Sequence, residues 1–353
     1  MTSRDDYEGA ARGAAAEVAR FDDGGRGFVG RVQHALHVTP ALVPLIVLVA
    51  AIATFGLLLG SRFFSPFALT LILQQVQIVG IVAAAQSLVI LTAGIDLSVG
   101  AIAVVTSVVM GQFTFRYGLP VEVSILCGLA LGTAIGAVNG WLVAVMRLPP
   151  FIVTLGMWQI VLAANFLYSA NETIRAQDIE AEAPLLQLLG RTFAVGGARL
   201  TLGVVVMVGL VVLLAYVLRH TAWGRHVYAV GDDPDAAALS GVNVRAVLIS
   251  VYATTGLICG IAGWALIGRI GSVSPTSGQL LNIESITAVV IGGISLFGGR
   301  GSILGAFFGA LIVGVFTLAL RLLGADAQWT YLLIGVLIIG AVAVDQWIRK
   351  VAA

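Results

Sequence analysis

The sequence predicts an all-α, polytopic membrane protein with about ten transmembrane helices, some of them short or broken. Three observations carry this. First, 59% of the 353 residues are hydrophobic and only 10% are charged, against roughly 25% charged in a soluble globular domain. Second, apolar runs recur at 41–60, 68–92, 99–115, 121–146, 150–170, 201–218, 247–268, 285–297, 302–322 and 329–347, most of them near the about 20 residues that cross a hydrocarbon core. Third, those runs are nearly free of ionisable residues, which a bilayer interior excludes.

Residues 1–40 are rich in Ala, Gly, Arg and Asp and lack the charged-then-apolar layout of a signal peptide. They read as a flexible cytoplasmic tail, with a surface helix as the alternative. Residues 41–350 form the membrane domain. An even number of spans puts both termini on one side, and positive charge stays in the cytoplasm. Arg4, Arg12, Arg20, Arg26, Arg31, Arg147, Arg219, Arg225, Arg245, Arg300, Arg349 and Lys350 share the side of the termini, twelve of the nineteen Lys and Arg. The bias predicts cytoplasmic N- and C-termini and a cytoplasmic loop at 219–246. Cys127 and Cys259 both lie in apolar runs, and His34, His37, His220 and His226 all fall outside them. Neither a disulfide framework nor a metal site is expected.

Along the chain, the span 68–92 carries Gln74, Gln77 and Gln86, amides unusual for a lipid-facing helix. They line a polar pathway or bond between helices. The string Leu91-Thr92-Ala93-Gly94-Ile95-Asp96-Leu97-Ser98-Val99-Gly100 then interrupts the apolar stretch. Asp96 or Ser98 is placed to cap a helix from Val99, with Gly94 making the turn. Non-helical backbone at this depth survives only where protein or a watery cavity covers it. Asp96 therefore either lines a pathway or serves only as a cap. In the span 150–170, Thr154, Trp158, Asn165 and Ser169 fall within an arc of about 60°, with Tyr168 beside it. That stripe offers the hydroxyls, amide and aromatic face that a sugar needs. The loop 171–200 is polar and reads as a solvated connector or as a docking surface for a partner outside.

The loop at 219–246 holds a very short helix. Asp233 suits the N-cap, Pro234 the first helical position and Asp235 the positive helix end. Ala237 and Leu239 continue the helix, and Gly241 is suited to a left-handed cap. Two turns are not stable alone in water. The helix therefore docks, either in a cleft of a partner or on the domain's own inner surface. The run 285–297 is too short for a straight crossing and reads as a half-helix. It leads into Gly292-Gly293-Ile294-Ser295-Leu296-Phe297-Gly298-Gly299-Arg300-Gly301-Ser302. Gly-Ile-Asp-Leu at 94–97 aligns with Gly-Ile-Ser-Leu at 293–296, the matched interruption expected of repeated halves, although four residues in a Gly/Ile/Leu-rich chain also coincide by chance.

Lys350 is the only lysine, so the Gly-Lys-Ser/Thr end of a P-loop is impossible. No cofactor is expected in this chain, and any driving ATP is bound by a partner subunit. An ion-coupled carrier is the competing class. Its usual mid-membrane carboxylates are missing, since Asp96, Glu284 and Asp345 fall near predicted helix ends.

The string at 91–100, the string at 292–302 and Ala236-Ala237-Ala238-Leu239-Ser240-Gly241-Val242-Asn243-Val244 together resemble the ribose-type sugar permeases of bacterial ATP-binding-cassette importers. The resemblance covers about residues 45–350. Two further stretches, 163–175 and 264–275, are similar to the fructose-transporting branch of that family. It implies a transporter subunit of the cell inner membrane rather than an enzyme, translocating a monosaccharide, with fructose favoured over a pentose, another hexose or a related signal molecule. It implies two ATPase subunits, a periplasmic sugar-binding protein, a second permease chain (a homodimer) and membrane lipid as partners, and no nucleic acid. It also implies that the segment 231–241 is the coupling helix.

Overall fold

The computed structural model describes residues 41–352. The predicted tail 1–40 lies outside them, as does the side chain of Asp345. The helices are α1 (Leu42–Leu59), α2 (Pro66–Leu91), α3 (Val99–Phe115), α4 (Val121–Ala144), α5 (Pro150–Ser169), α6 (Ala176–Glu182), α7 (Leu202–His220), α8 (Ala222–Asp232), α9 (Pro234–Leu239), α10 (Val244–Ile270), α11 (Leu281–Ile291), α12 (Ile303–Leu322) and α13 (Ala327–Ala352). Seven of these regions are long and apolar enough to cross a membrane, and Val99–Phe115, Leu281–Ile291 and Gln328–Gly340 are shorter apolar stretches. Each of the ten predicted runs falls on one of these ten segments.

The domain is built around α2. Ser65 caps it by accepting the Ala68 N–H at 3.1 Å, and Pro66 opens its first turn. From Val76 to Leu91 every residue is buried, the pattern of a helix surrounded by others. A second feature holds α4 against α10. Gly128, Gly132, Gly136 and Gly140 recur every fourth residue and so share one face of α4. A Cβ on Gly132 or on Gly256 would collide with the other's carbonyl oxygen, and one on Gly140 would lie 2.8 Å from the Ile249 Cα. Backbone-to-backbone packing of small residues is how helices associate where lipid removes the hydrophobic drive.

Two sequence expectations change. The half-helix expected at 285–297 is α11, Leu281–Ile291, eleven residues long. It starts four residues early because polar Asn282 and Glu284 are helical, and it stops early because Gly293 turns left-handed at φ 75°. The loop 171–200 is no loose connector. It contains α6, a 3-10 segment (Pro184–Gly190) and an antiparallel hairpin, β1 (Thr192–Val195) with β2 (Ala198–Thr201), in the register Thr192↔Thr201. Gly196 and Gly197, both at positive φ, make its two-residue turn. Ile179 and Leu186 are fully buried, clustered with Val108, Met110, Ile125 and Ile267, and Gln187 donates to the Gly271 carbonyl at 2.7 Å.

Candidate functional site

The break between α2 and α3 is held by a closed polar network. α2 ends in a Schellman motif: the Ala93 N–H bonds the Ile90 carbonyl and the Gly94 N–H bonds the Val89 carbonyl, both at 3.0 Å. The left-handed residue is Ala93, at φ 59°, and not Gly94 as expected. Gly94 is required for space, since a Cβ there would lie 2.8 Å from the Tyr252 hydroxyl and 2.9 Å from Val89. Asp96 is fully buried. Its Oδ1 accepts from the Ser98 N–H at 2.7 Å and from the Ser98 hydroxyl at 2.6 Å, and its Oδ2 has no partner. Asn139 of α4 donates to the same Ser98 hydroxyl at 3.0 Å. The Gln86 amide, turned to suit its neighbours, donates to the Asp96 carbonyl at 3.0 Å and accepts its N–H at 3.2 Å. Thr154 of α5 donates to the Ile95 carbonyl at 2.9 Å. Asp96, Gln86 and Thr154, from the loop itself, α2 and α5, thus satisfy backbone that no helix can.

Neither Asp96 nor Ser98 caps α3 by a side-chain bond, a correction to the sequence reading. Asn282, 182 residues later, does so instead, its Oδ1 accepting the Gly100 N–H at 2.6 Å. Asp96 is occupied in folding its own loop into an Asx turn, which leaves the helix end to a residue of α11.

The second glycine string ends α11 with the same device. The Gly293 N–H bonds Val290 at 3.0 Å and the Ile294 N–H bonds Val289 at 3.2 Å. The equivalent residues by cap are therefore Ala93 and Gly293, one place out of register with the alignment of Gly94 on Gly293. The turn that follows keeps the aligned register, because Ser295 Oγ accepts the Phe297 N–H at 3.2 Å just as Asp96 Oδ1 accepts that of Ser98.

The two strings meet at the root of the short helix. The Gly299 N–H donates to the Leu91 carbonyl at 3.0 Å. Gly231, near the end of α8, sits so close that a Cβ would strike the Leu91 oxygen and lie 2.7 Å from the Gly299 nitrogen. A Cβ on Gly298 would lie 2.5 Å from the Gly231 oxygen, and one on Gly299 2.9 Å from Asp232. Tyr228 donates to the Gly301 carbonyl at 2.9 Å. Burial holds its phenol above the ordinary tyrosine range, so it stays a donor at physiological pH.

From this root α9 projects as the sequence predicts. Asp233 accepts from the N–H groups of Asp235 (2.9 Å) and Ala236 (3.0 Å), and Pro234 follows at the first position. Gly241 at φ 86° closes a Schellman cap, with its own N–H on the Ala238 carbonyl and that of Val242 on the Ala237 carbonyl, both at 3.0 Å. Ala237 is the buried anchor at 5% exposure, whereas Leu239 stands 91% exposed. Among the described residues nothing covers this apolar side chain at the tip of the capped helix.

The predicted pathway residues divide. Trp158 and Asn165 line a small, partly open recess, together with Gly100, Gln279, Ser277 and Asn282. Asn165 donates to the Pro275 carbonyl at 2.9 Å, and its Oδ1 has no partner. Thr154 and Asp96 belong to the break. Gln77 is buried against the start of α7, where Thr201 donates to its Oε1. Gln74 is half-buried on α2, and Tyr168 packs on Phe113 with its ring centroid 6.5 Å away. Neither borders the recess. Among the described residues no three His, Cys, Asp or Glu side chains gather as metal ligands would.

Residues 68–342 match a family described as a branched-chain amino acid transport system permease component. The chain belongs to this permease family. Its curated relatives include a fructose import permease of Rhizobium meliloti, 69% identical over 99% of this chain and 97% of the relative. A ribose import permease of Escherichia coli is 39% identical over 87% and 92%. A xylose transport permease of Haemophilus influenzae is 29% identical over 87% and 96%. No solved structure matches the permease.

In the permease, sequence reasoning missed Asn139, Asn282, Tyr228 and Tyr252. A signal existed for the two asparagines, because each is an amide inside or beside an apolar run, as Gln77 and Gln86 are. The glycine ladder 128–132–136–140 was equally legible as a packing face. Tyr228 and Tyr252 gave none, since their roles depend on glycines that approach from distant segments.

Proposed function

We propose that the permease is the membrane subunit of an ATP-driven importer that carries fructose across the inner membrane. The observation that supports this best is the 69% identity to a fructose import permease over nearly the whole chain. The geometry agrees with the coupling half of the reading. A capped helix, exposed at Leu239, is rooted where the ends of α2 and α11 meet. Asp233, Pro234, Asp235, Ala237, Leu239 and Gly241 form the coupling element, seated in a cleft of a separate ATPase subunit on the cytoplasmic side. ATP is held by that subunit. A periplasmic sugar-binding protein delivers cargo to the opposite face, near the hairpin, and a second copy of the permease completes the path as a homodimer.

Closure of the motor subunits pulls on α9. The glycine junction passes this to the break at 92–98 and to the start of α3, which opens or closes the central path. Trp158 and Asn165 are the sugar-facing members of the predicted set. Asp96 and Thr154 hold the break, and Gln77 ties the middle of α2 to the start of α7.

The test is labelled fructose uptake into proteoliposomes that hold the permease, its candidate ATPase and its binding protein, with and without enclosed ATP. Uptake that needs all three components and ATP is the expected result. Uptake by the permease alone on a proton or sodium gradient would replace this reading with an ion-coupled carrier.

A further inference from the structure

We propose that the recess between α3, α5 and α11 is a transit subsite that accepts neutral polyhydroxyl cargo and rejects zwitterions. This rests on the importer reading above and goes further, because it names which feature of the membrane subunit tells a sugar from an amino acid. The family description names branched-chain amino acids, whereas the curated relatives cited above carry sugars by name. Something in the membrane path must suit one chemistry.

The walls supply the discrimination. None of the eleven residues that line the recess carries a charge. An amino acid entering it would bring a carboxylate and an ammonium with no countercharge, and burying an unpaired ion costs several kcal/mol. A sugar brings hydroxyls, which need hydrogen-bond partners and no charge. Asn165 provides one. It is 1% exposed, its amide nitrogen is committed to the Pro275 carbonyl at 2.9 Å, and its Oδ1 has no partner. A buried amide oxygen left unpaired has lost its water without gaining a partner. A passing hydroxyl makes good that loss without leaving a deep trap behind. Trp158, seven residues earlier, stands two turns away on the same face of α5 and offers an indole for the C–H side of a pyranose or furanose ring.

Glycine lets the walls approach closely. At Gly100 a Cβ would fall on the Asn282 Oδ1, and at Gly278 it would lie 2.7 Å from Leu281. The bond from Gly100 to Asn282 closes the wall between α3 and α11. Gly100 follows Ser98, which Asp96 and Asn139 hold, so motion of the break reaches the recess directly. One open acceptor and one aromatic face suit a site that must release its cargo on every cycle.

The experiment measures fructose uptake and ATP hydrolysis together in proteoliposomes containing the complete importer. Asn165→Leu is expected to lower fructose imported per ATP hydrolysed by about threefold to tenfold, the effect of one hydrogen bond. Hydrolysis stimulated by the loaded binding protein should stay near wild type. Trp158→Ala should act in the same direction and Trp158→Phe should restore most of the flux, which a purely packing role for the indole would not require. Unchanged fructose per ATP in both Asn165→Leu and Trp158→Ala overturns the subsite. Should those variants fail to reach the membrane, Ser277→Cys decides. Its reaction with a small thiol reagent, corrected for the wild-type cysteines, should be slowed by fructose during turnover and not by leucine, and equal rates overturn the subsite. A wild-type importer that shows no ATP-dependent fructose uptake would instead refute the importer reading itself, so the two failures are distinguishable.

Discussion

Gly231→Ala tests whether the glycine junction joins the short helix to the membrane core. The added methyl meets the Leu91 carbonyl oxygen and lies 2.7 Å from the Gly299 nitrogen, a separation that real side chains do not tolerate. Both neighbours are backbone, so no side chain can swing away, and α8 must move off the end of α2. That movement breaks the bond from the Gly299 N–H to the Leu91 carbonyl, 3.0 Å long. Overpacking costs about 1–3 kcal/mol, and stranding a buried donor and acceptor costs about 1–3 kcal/mol more. The combined loss of roughly 2–6 kcal/mol is comparable to the whole stability of many domains. The displacement also tilts α9 relative to the break. Gly209→Ala, on α7, is the control, because nothing lies within 4 Å of its Cβ and Ala is about 1 kcal/mol better than Gly in a helix. In purified importer, Gly231→Ala should lower the melting temperature and cut sugar uptake per ATP, whereas Gly209→Ala should do neither. A Gly231→Ala importer with wild-type melting and wild-type uptake would refute the junction as the path of coupling.

Other outcomes follow from single contacts. Leu239→Asp should leave the melting temperature unchanged, because the side chain is 91% exposed, yet weaken ATPase assembly by tenfold or more, since burial of a leucine is worth about 1.5–3 kcal/mol; co-purification of the ATPase at wild-type yield would contradict it. Asn282→Leu removes the acceptor of the Gly100 N–H and should destabilise by about 1–3 kcal/mol, read as a lower melting temperature. Asp96→Asn keeps an oxygen for both Ser98 bonds and should retain most uptake, whereas Asp96→Ala should lose it; equal loss in the two would assign Asp96 a role that needs its charge. Tyr228→Phe deletes a single bond to Gly301 and should cost about 1 kcal/mol, visible as a small drop in melting temperature.

The class of the protein, its apolar segments and the short capped helix at 234–239 were legible in the chain. Those are local properties. Hydropathy over about 20 residues fixes a span, and Asp233, Pro234 and Gly241 each act on their own backbone within a few residues, which is why the caps of α9 appear as written. The position of Trp158 and Asn165 on one face of α5 was legible for the same reason, since helical period alone sets it. The shape of the loop 171–200 was not, because its anchors Ile179 and Leu186 look like ordinary apolar residues in a polar stretch.

Only the tertiary structure decided what the polar groups do. Asp96 seemed a cap and is the centre of a buried loop network; the cap belongs to Asn282. The two glycine strings share the turn at Asp96 and Ser295 but differ by one residue at their caps, and they touch each other and Gly231. A hydrogen bond between residues 182 positions apart, as between Gly100 and Asn282, leaves no period in the chain, and neither does a glycine contact between distant segments. Its partners are chosen by which helix faces are forced together when α2 is buried on every side.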